Sequence, residues 1–391
     1  MKLRTIALAL VLAALAATVA ASQSYDAAGN WIGGPVAGLD DPPGTKLLEY
    51  LNSPTPSGLT RIGDLFYGLS STNLYEFNWQ TGAVFRTIAL TNLPTFSIYA
   101  FDVGFDLRRN LFVIAETSAM GILLADQAGV VTTFFSTSGV SHRNVGAAYD
   151  TWRDGYWITS WNTNRLTLYD ARNLGNVLFT IDLSAVGATR AAGAAYSSEN
   201  DIVYTNSRDK KMGYAFEAAS GKLLYSWPLV YQGSNNGQGS VWWDRWNAAV
   251  VVDLETGLTV FHETGYPRVK AADTVKVGSG LRIDWIAANS PGKFYKGAAA
   301  FTERIAGIQF LNRYFPLAAD NLFFASLTAP SVFQRFEGLL DTTGTAVGAV
   351  NVPNIPALAG LYFSIAFVTV DPAAPFAIDA ISGAWKVNLT K

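Results

Sequence analysis

The 391-residue sequence predicts an all-β protein, a β-propeller followed by a small antiparallel β-sandwich, and three observations lead there. The first is composition: 35 Gly, 23 Phe, 17 Tyr and 11 Trp in a chain that is 50% hydrophobic and only 15% charged. Aromatic residues favour pleated, half-buried strands, and Gly favours tight turns. The second is an internal repeat of about 46 residues, a length that suits one four-stranded blade. The third is the loss of that repeat near Pro291, beyond which Pro and Gly turns still separate short apolar strands but without the same phase.

Residues 1–21 read as a secretory signal. Lys2 and Arg4 form a basic start, Ile6 to Ala17 is an unbroken apolar run, and small residues follow at Thr18, Ala20 and Ala21. The run is too short and wrongly flanked for a stable membrane span. Cleavage after Ala20 or Ala21 would start the mature chain near Ser22, with residues 22–45 as a linker, and would take the formal net charge from −2 to −4. No later apolar segment reaches spanning length, so the mature chain is expected to be soluble and exported, to the periplasm, the extracellular space or the cell surface. The chain has no Cys, which excludes disulfides, thiolate metal sites and a lipid-bearing thiol, and leaves apolar burial to hold the fold. An exported chain of this kind fits a bacterial origin. Neither charge sign dominates and no basic run occurs, so nucleic acid binding lacks its main requirement.

The propeller is expected over residues 46–288. Each copy of the repeat holds a Gly-led strand, a tight polar turn and a second apolar strand: IGDLFYGLS, GFDLRRNLFVIAE, GAAYDTWRDGYWITSW, GAAYSSENDIVYTNS and GSVWWDRWNAAVVVD. The residues opening the second strand are Leu65, Leu111, Tyr156, Ile202 and Ala248, separated by 46, 45, 46 and 46 positions. A turn between third and fourth strands recurs in phase at Gly82, Gly129, Gly175, Gly221 and Gly265, where a hairpin between twisted strands demands positive φ. Two turns at constant phase make four strands per unit. Five copies are countable, and Lys46 to Asn52 resembles a fourth strand placed ahead of the first copy. Pairing it with the blade that begins at Gly239 would close a five-bladed ring and remove a free edge; Tyr266 to Ala288 would instead supply a sixth, atypical blade.

The sandwich is expected over residues 291–391. The phrases PLAADNLFFASL, FEGLLDTTGTA, VPNIPALAGLYFSIAFVTVDP and FAIDAIS resemble a C-terminal module of exported bacterial proteins, planctomycete-type proteins among them. That resemblance implies an accessory β-sandwich carried behind diverse partner domains; it does not imply an enzyme activity, and no functional residues are carried over from it. Residues 46–288 resemble the broad NHL, quinoprotein-like and YVTN repeat group in blade grammar alone, and such folds host many unrelated sites.

Loops between one blade's fourth strand and the next blade's first converge round the axis on one face, so candidate chemistry is sought there. They offer Tyr99 and Asp102, His142, Arg143 and Asn144, Arg190, and Asn235, Asn236 and Gln238. As a polar ring round a pore mouth these would bind a sugar, a carboxylate or a metal-bridged anion through amides and guanidinium groups. His142 and Asp102 are the catalytic candidates, as acid and base with the rim Arg residues as a clamp. His262, the other histidine, is expected at the outer surface. Asp106, Asp150 and Asp244 recur at the ends of first strands, where an Asp most often accepts bonds from turn amides and otherwise could form a metal ring. The Trp residues read mostly as core, with Trp152 and Trp246 in polar turns. No calcium loop, zinc-protease helix, nucleophile elbow or phosphate loop occurs, so no cofactor and no metal site are assigned. Two functions stay open: a non-catalytic binding protein for a small molecule, polysaccharide or protein, and a lyase, lactonase or hydrolase built on His142. A cell-surface structural component is a third.

Overall fold

The computed structural model describes residues 46–391 apart from 52–53, 64, 79–80, 96–98, 138–142, 230–236, 244–246, 254–257, 263 and 311–312. Two compact units divide it. Residues 43–243 and 248–264 form one, and residues 244–247 with 265–391 belong to the other.

The first unit is a five-bladed ring that opens with β1 (Lys46–Leu51). Blade one is β2 (Gly58–Ile62), β3 (Leu65–Ser70), β4 (Asn73–Phe77) and β5 (Val84–Ala89). Blade two is β6 (Ala100–Asp106), β7 (Leu111–Glu116), β8 (Gly121–Ala125) and β9 (Val131–Ser136). Blade three is β10 (Asn144–Asp150), β11 (Gly155–Ser160), β12 (Arg165–Asp170) and β13 (Val177–Asp182). Blade four is β14 (Ala191–Ser197), β15 (Ile202–Ser207), β16 (Met212–Glu217) and β17 (Leu223–Pro228). Blade five has three strands in sequence, β18 (Gly237–Trp243), β19 (Ala248–Asp253) and β20 (Leu258–His262), and its fourth is β1, antiparallel to β20 with Tyr50 opposite Thr259. The ring is closed by its first strand. First strands neighbour each other all the way round, β2 to β6, β10, β14, β18 and back to β2.

The axis is narrow. Strands of non-adjacent blades also approach, β6 to β14 and β18, and β10 to β18. Such proximity explains the leading glycines of the repeat. A Cβ on Gly239 would lie 2.3 Å from the Cα of Gly58, and one on Gly146 would lie 2.5 Å from the carbonyl carbon of Gly193, so backbone meets backbone there. The turn glycines Gly82, Gly129, Gly175 and Gly221 take φ between 71° and 89°, as hairpins of this twist require. Gly265 keeps φ 77° but leads into the second unit rather than to a fourth strand.

Between blades the cores are apolar. Tyr67, Leu69 and Leu74 of blade one pack with Val103, Phe112 and Ile114 of blade two, and Trp157, Leu166 and Leu168 of blade three with Val203, Tyr214 and Phe216 of blade four. Each such side chain, fully buried, contributes roughly 1.5–3 kcal/mol, so a ring without disulfides is stable on burial alone. His262, at the end of β20 and paired on both sides with Lys46 of β1 and Ala249 of β19, is fully buried and not at the surface.

The second unit is the sandwich, and it starts earlier than the repeat boundary implies. β21 (Arg268–Ala271), β22 (Thr274–Lys276) and β23 (Gly280–Ile286) are sandwich strands, not a sixth blade. They are followed by β24 (Phe294–Ala300), β25 (Glu303–Phe310), β26 (Arg313–Leu317) and a helix α1 (Asn321–Thr328) capped by Asp320. The chain ends with β27 (Phe333–Gln334), β28 (Glu337–Leu339), β29 (Thr345–Asn351), β30 (Tyr362–Val370), β31 (Ile378–Ile381) and β32 (Trp385–Thr390). One sheet runs β21-β23-β29-β27 and the other β22-β32-β30-β24-β28. All their pairs are antiparallel except β22 with β32, which is parallel. Trp285 fills the space between the sheets against Tyr295, Phe336 and Phe367, with its indole N–H donated to the Arg335 carbonyl at 3.1 Å.

Candidate functional site

Each of blades two to four presents one residue just ahead of its first strand, and these three residues are equivalent. The carbonyls of Tyr99, Arg143 and Arg190 accept from the amides of Thr117, Trp161 and Arg208, the residues that follow the second strand in the same blade, at 3.1, 2.9 and 3.3 Å. Three of the residues expected at the rim are thus at one position of the blade and on one face of the ring. All three side chains are exposed; Tyr99 is 53% accessible.

Buried polar groups hold each of them in place. Glu116, wholly buried, accepts from the amides of Tyr99, Ser118 and Ala119 and so ties the Tyr99 segment to the turn beside it. Next to Arg143, the Asn144 amide donates to the Gly121 carbonyl and to Thr137 Oγ1, both at 3.0 Å. Beside Arg190, the Ser207 hydroxyl donates to the Thr189 carbonyl, Ser207 Oγ accepts from the Thr189 amide, and Asn164 accepts from the Ala191 amide. Arg190 itself has φ 48°, a left-handed conformation that bulky residues adopt at a cost.

An aromatic row links the three positions. Tyr99 and Phe101 lie with ring centroids 5.9 Å apart, and Phe101 meets Trp161 edge-on at 6.1 Å. Phe101 is buried with Val145 and Ala192, while Trp161 is half-buried. The guanidinium carbons of Arg208 and Arg190 stand 4.9 and 5.9 Å from the Trp161 ring. Both are within cation–π range. Arg190 also pairs with Asp209 at 3.6 Å, and Arg143 has no ion pair among the described residues.

Two expected ligands are not at the rim. Asn144 is 1% exposed and its amide is spent on the scaffold bonds above. Asp102 is wholly buried near the axis, where Oδ1 accepts from the Leu59 amide at 3.2 Å and Oδ2 from the Ala147 amide at 3.1 Å. Amides of Val103 and Ala194 also favour its charged form, yet burial pushes the carboxyl well above the usual carboxylate range. The side chain reaches first strands of blades one and three from blade two; it is a hub of the ring and not an exposed acid or base. His142, Asn235 and Asn236 lie outside the described residues, and of Gln238 only the backbone is described. Trp161 was read with the core tryptophans and Arg208 was not singled out, although the two stand 47 positions apart just after second strands, in phase with the repeat.

On the opposite face the first-to-second strand turns form a ladder. Asp106 and Asp150 each accept two amides of their own turn, from Arg108 and Arg109 and from Trp152 and Arg153. Arg109 then bridges Asp106 to both oxygens of Asp154 in the next blade, and Arg153 bridges Asp150 to both oxygens of Asp201. These aspartates fix turns and join blades; Asp244 lies outside the described residues. Among the described residues no group of three His, Asp or Glu is placed to hold a metal ion, and no helix is long and apolar enough to cross a membrane.

No family model matches the chain, and no curated protein does. Solved structures with similar backbones include hydrazine synthase of Kuenenia stuttgartiensis, 11% identical over 64% of this chain and 80% of that one with a TM-score of 0.35. They also include the Cps50 (Swd1) β-propeller domain of Myceliophteria thermophila, 13% identical over 53% and 82% with a TM-score of 0.32. A Bacteroides caccae protein of unknown function is 13% identical over 51% and 78% with a TM-score of 0.35.

Proposed function

We propose that the chain is an exported, non-catalytic binding protein whose ligand sits on the propeller face carrying Tyr99, Arg143 and Arg190. The observation that carries this reading is the division of labour on that face. Its buried polar groups, Glu116, Asn144 and Ser207, are engaged in holding loops, while aromatic and guanidinium groups face outward. Among the described residues that arrangement supplies contact area and charge but no acid–base pair. Loss of Asp102 to the ring axis removes one of the two catalytic candidates. Export is supported by the basic, apolar and small-residue order of residues 1–21. The blade grammar shared with the NHL, quinoprotein-like and YVTN group, and the C-terminal phrases shared with planctomycete-type exported proteins, fit the same setting.

The test is capture from arrays of glycans, peptides and small metabolites by the wild type and by a Tyr99→Ala/Arg190→Ala double variant. Capture by the wild type alone, with equal melting temperatures and no change in the ligand's mass, is the expected result. A captured compound converted to product would overturn the non-catalytic reading, and equal capture by both proteins would place the site elsewhere. Recovery outside the cytoplasm of a chain beginning near Ser22 is expected, and retention of Met1 in the cytoplasm would refute export.

A further inference from the structure

The segments that form this face in blades three and four are unusually basic for the chain. Arg143, residues 161–165, residues 182–190 and the turn Arg208–Lys211 together hold six cations and two carboxylates, in a protein whose formal net charge is −2. The excess charge is local, and it lies next to the half-buried ring of Trp161. Trp161 has its ring occupied by Arg208 and Arg190, so its surface orients guanidinium groups and is not a free platform. Tyr99, at the other end of the aromatic row, is the exposed platform.

Taking this face as the binding surface, as above, we propose that its ligand is an acidic polysaccharide, with carboxylate groups on six-membered sugar rings. One ring stacks its apolar C–H face on Tyr99, and carboxylates of the same chain accept from Arg190 and Arg143 through the paired N–H groups of the fork. Trp161 and Arg208 are positioning residues for Arg190. A neutral glycan would leave the arginine excess unexplained. A nucleic acid would need cations tracking a phosphate every few ångströms, whereas blade two offers Tyr99 and Thr117 at the positions where blades three and four carry Arg143, Arg190 and Arg208.

The experiment is calorimetric titration of the full mature chain with oligogalacturonate, with its methyl ester, which keeps the rings and removes the charge, and with single-stranded DNA of similar length. Oligomers of glucuronate and mannuronate are included so that one ring configuration does not decide the outcome. The expected result is binding of at least one acidic oligomer, about tenfold weaker for its ester and for Arg190→Ala, and weakened by salt. Tyr99→Ala is expected to weaken acid and ester alike. Trp161→Leu should lose affinity for the acid and not the ester, and Trp161→Phe should restore it; a merely structural role would move both ligands and the melting temperature together. Equal affinity for acid and ester, stronger binding of DNA, or no binding of any uronate would overturn the acidic-saccharide assignment. If array ligands of another class are then lost in the Tyr99→Ala/Arg190→Ala protein, the binding face stands and only its ligand class is wrong.

Discussion

The two faces of the propeller use the same residue type in opposite ways. On the turn face, Arg109 and Arg153 are each gripped by two aspartates from neighbouring blades at 2.7–2.9 Å. On the loop face, Arg190 and Arg208 lie over an indole, Asp209 is 3.6 Å from Arg190, and Arg143 is exposed. The first set joins blades through shared carboxylates; in the second, Arg143 and Arg190 present exposed side chains. The lesson is that an arginine's role follows from how many carboxylates reach it, which is a property of blade-to-blade register and not of the residue.

The largest expected effect tests the axis from which both faces diverge. Asp102→Leu should destabilise the propeller by about 3 kcal/mol or prevent folding, because the Leu59 and Ala147 amides lose a buried acceptor. Urea unfolding followed by circular dichroism measures it, and a loss under 1 kcal/mol would deny the hub. Next, Arg153→Ala leaves Asp150 and Asp201 facing each other without their shared cation and should cost roughly 3 kcal/mol, with ligand binding on the other face unchanged. A variant that binds normally and unfolds like wild type would erase the contrast between the faces.

Acid sharpens it further. Hydrogen bonds from Arg109 hold the Asp154 carboxyl down at about 2 against an ordinary 3.8. A carboxyl depressed in the folded state gives stability that is present above pH 4 and is lost as pH falls toward 2, here about 2 kcal/mol. The stability gap between wild type and Arg109→Ala should therefore narrow over that interval, and a gap independent of pH would contradict the assignment. The smallest effect is expected at the loop face itself: Arg190→Ala should change stability by less than about 0.5 kcal/mol, since its pair with Asp209 is solvent-exposed.

Much of the fold was legible in the residues. The constant spacing of Leu65, Leu111, Tyr156, Ile202 and Ala248 gave five blades, and the fourth-strand look of Lys46 to Asn52 gave the closure. What spacing cannot report is which way a polar side chain turns. Asp102, Asn144 and His262 sit where loops or outer strands were expected, and each is drawn inward because a backbone group or a covering strand is there to meet it. The boundary was also misplaced, since β21 to β23 read as propeller-like strands while the long-range partners of β23 and β22, β29 and β32, lie far downstream. Trp161 read as one more core tryptophan and Arg208 looks ordinary alone; only their contact makes them a pair.

The closing strand also sets a schedule for assembly. β1 is made first, yet its partner β20 is made last among the blades, so the ring's outermost ladder has to wait for the whole repeat array. Until then blade five lacks its fourth strand and β1 has two open edges, each a template for the wrong partner. Loop closure over that span is slow compared with the hairpins of blades one to four, which pair within their own segments. A chain cut short before Leu258 should therefore fail as a whole, by edge-to-edge association, rather than yield a smaller propeller.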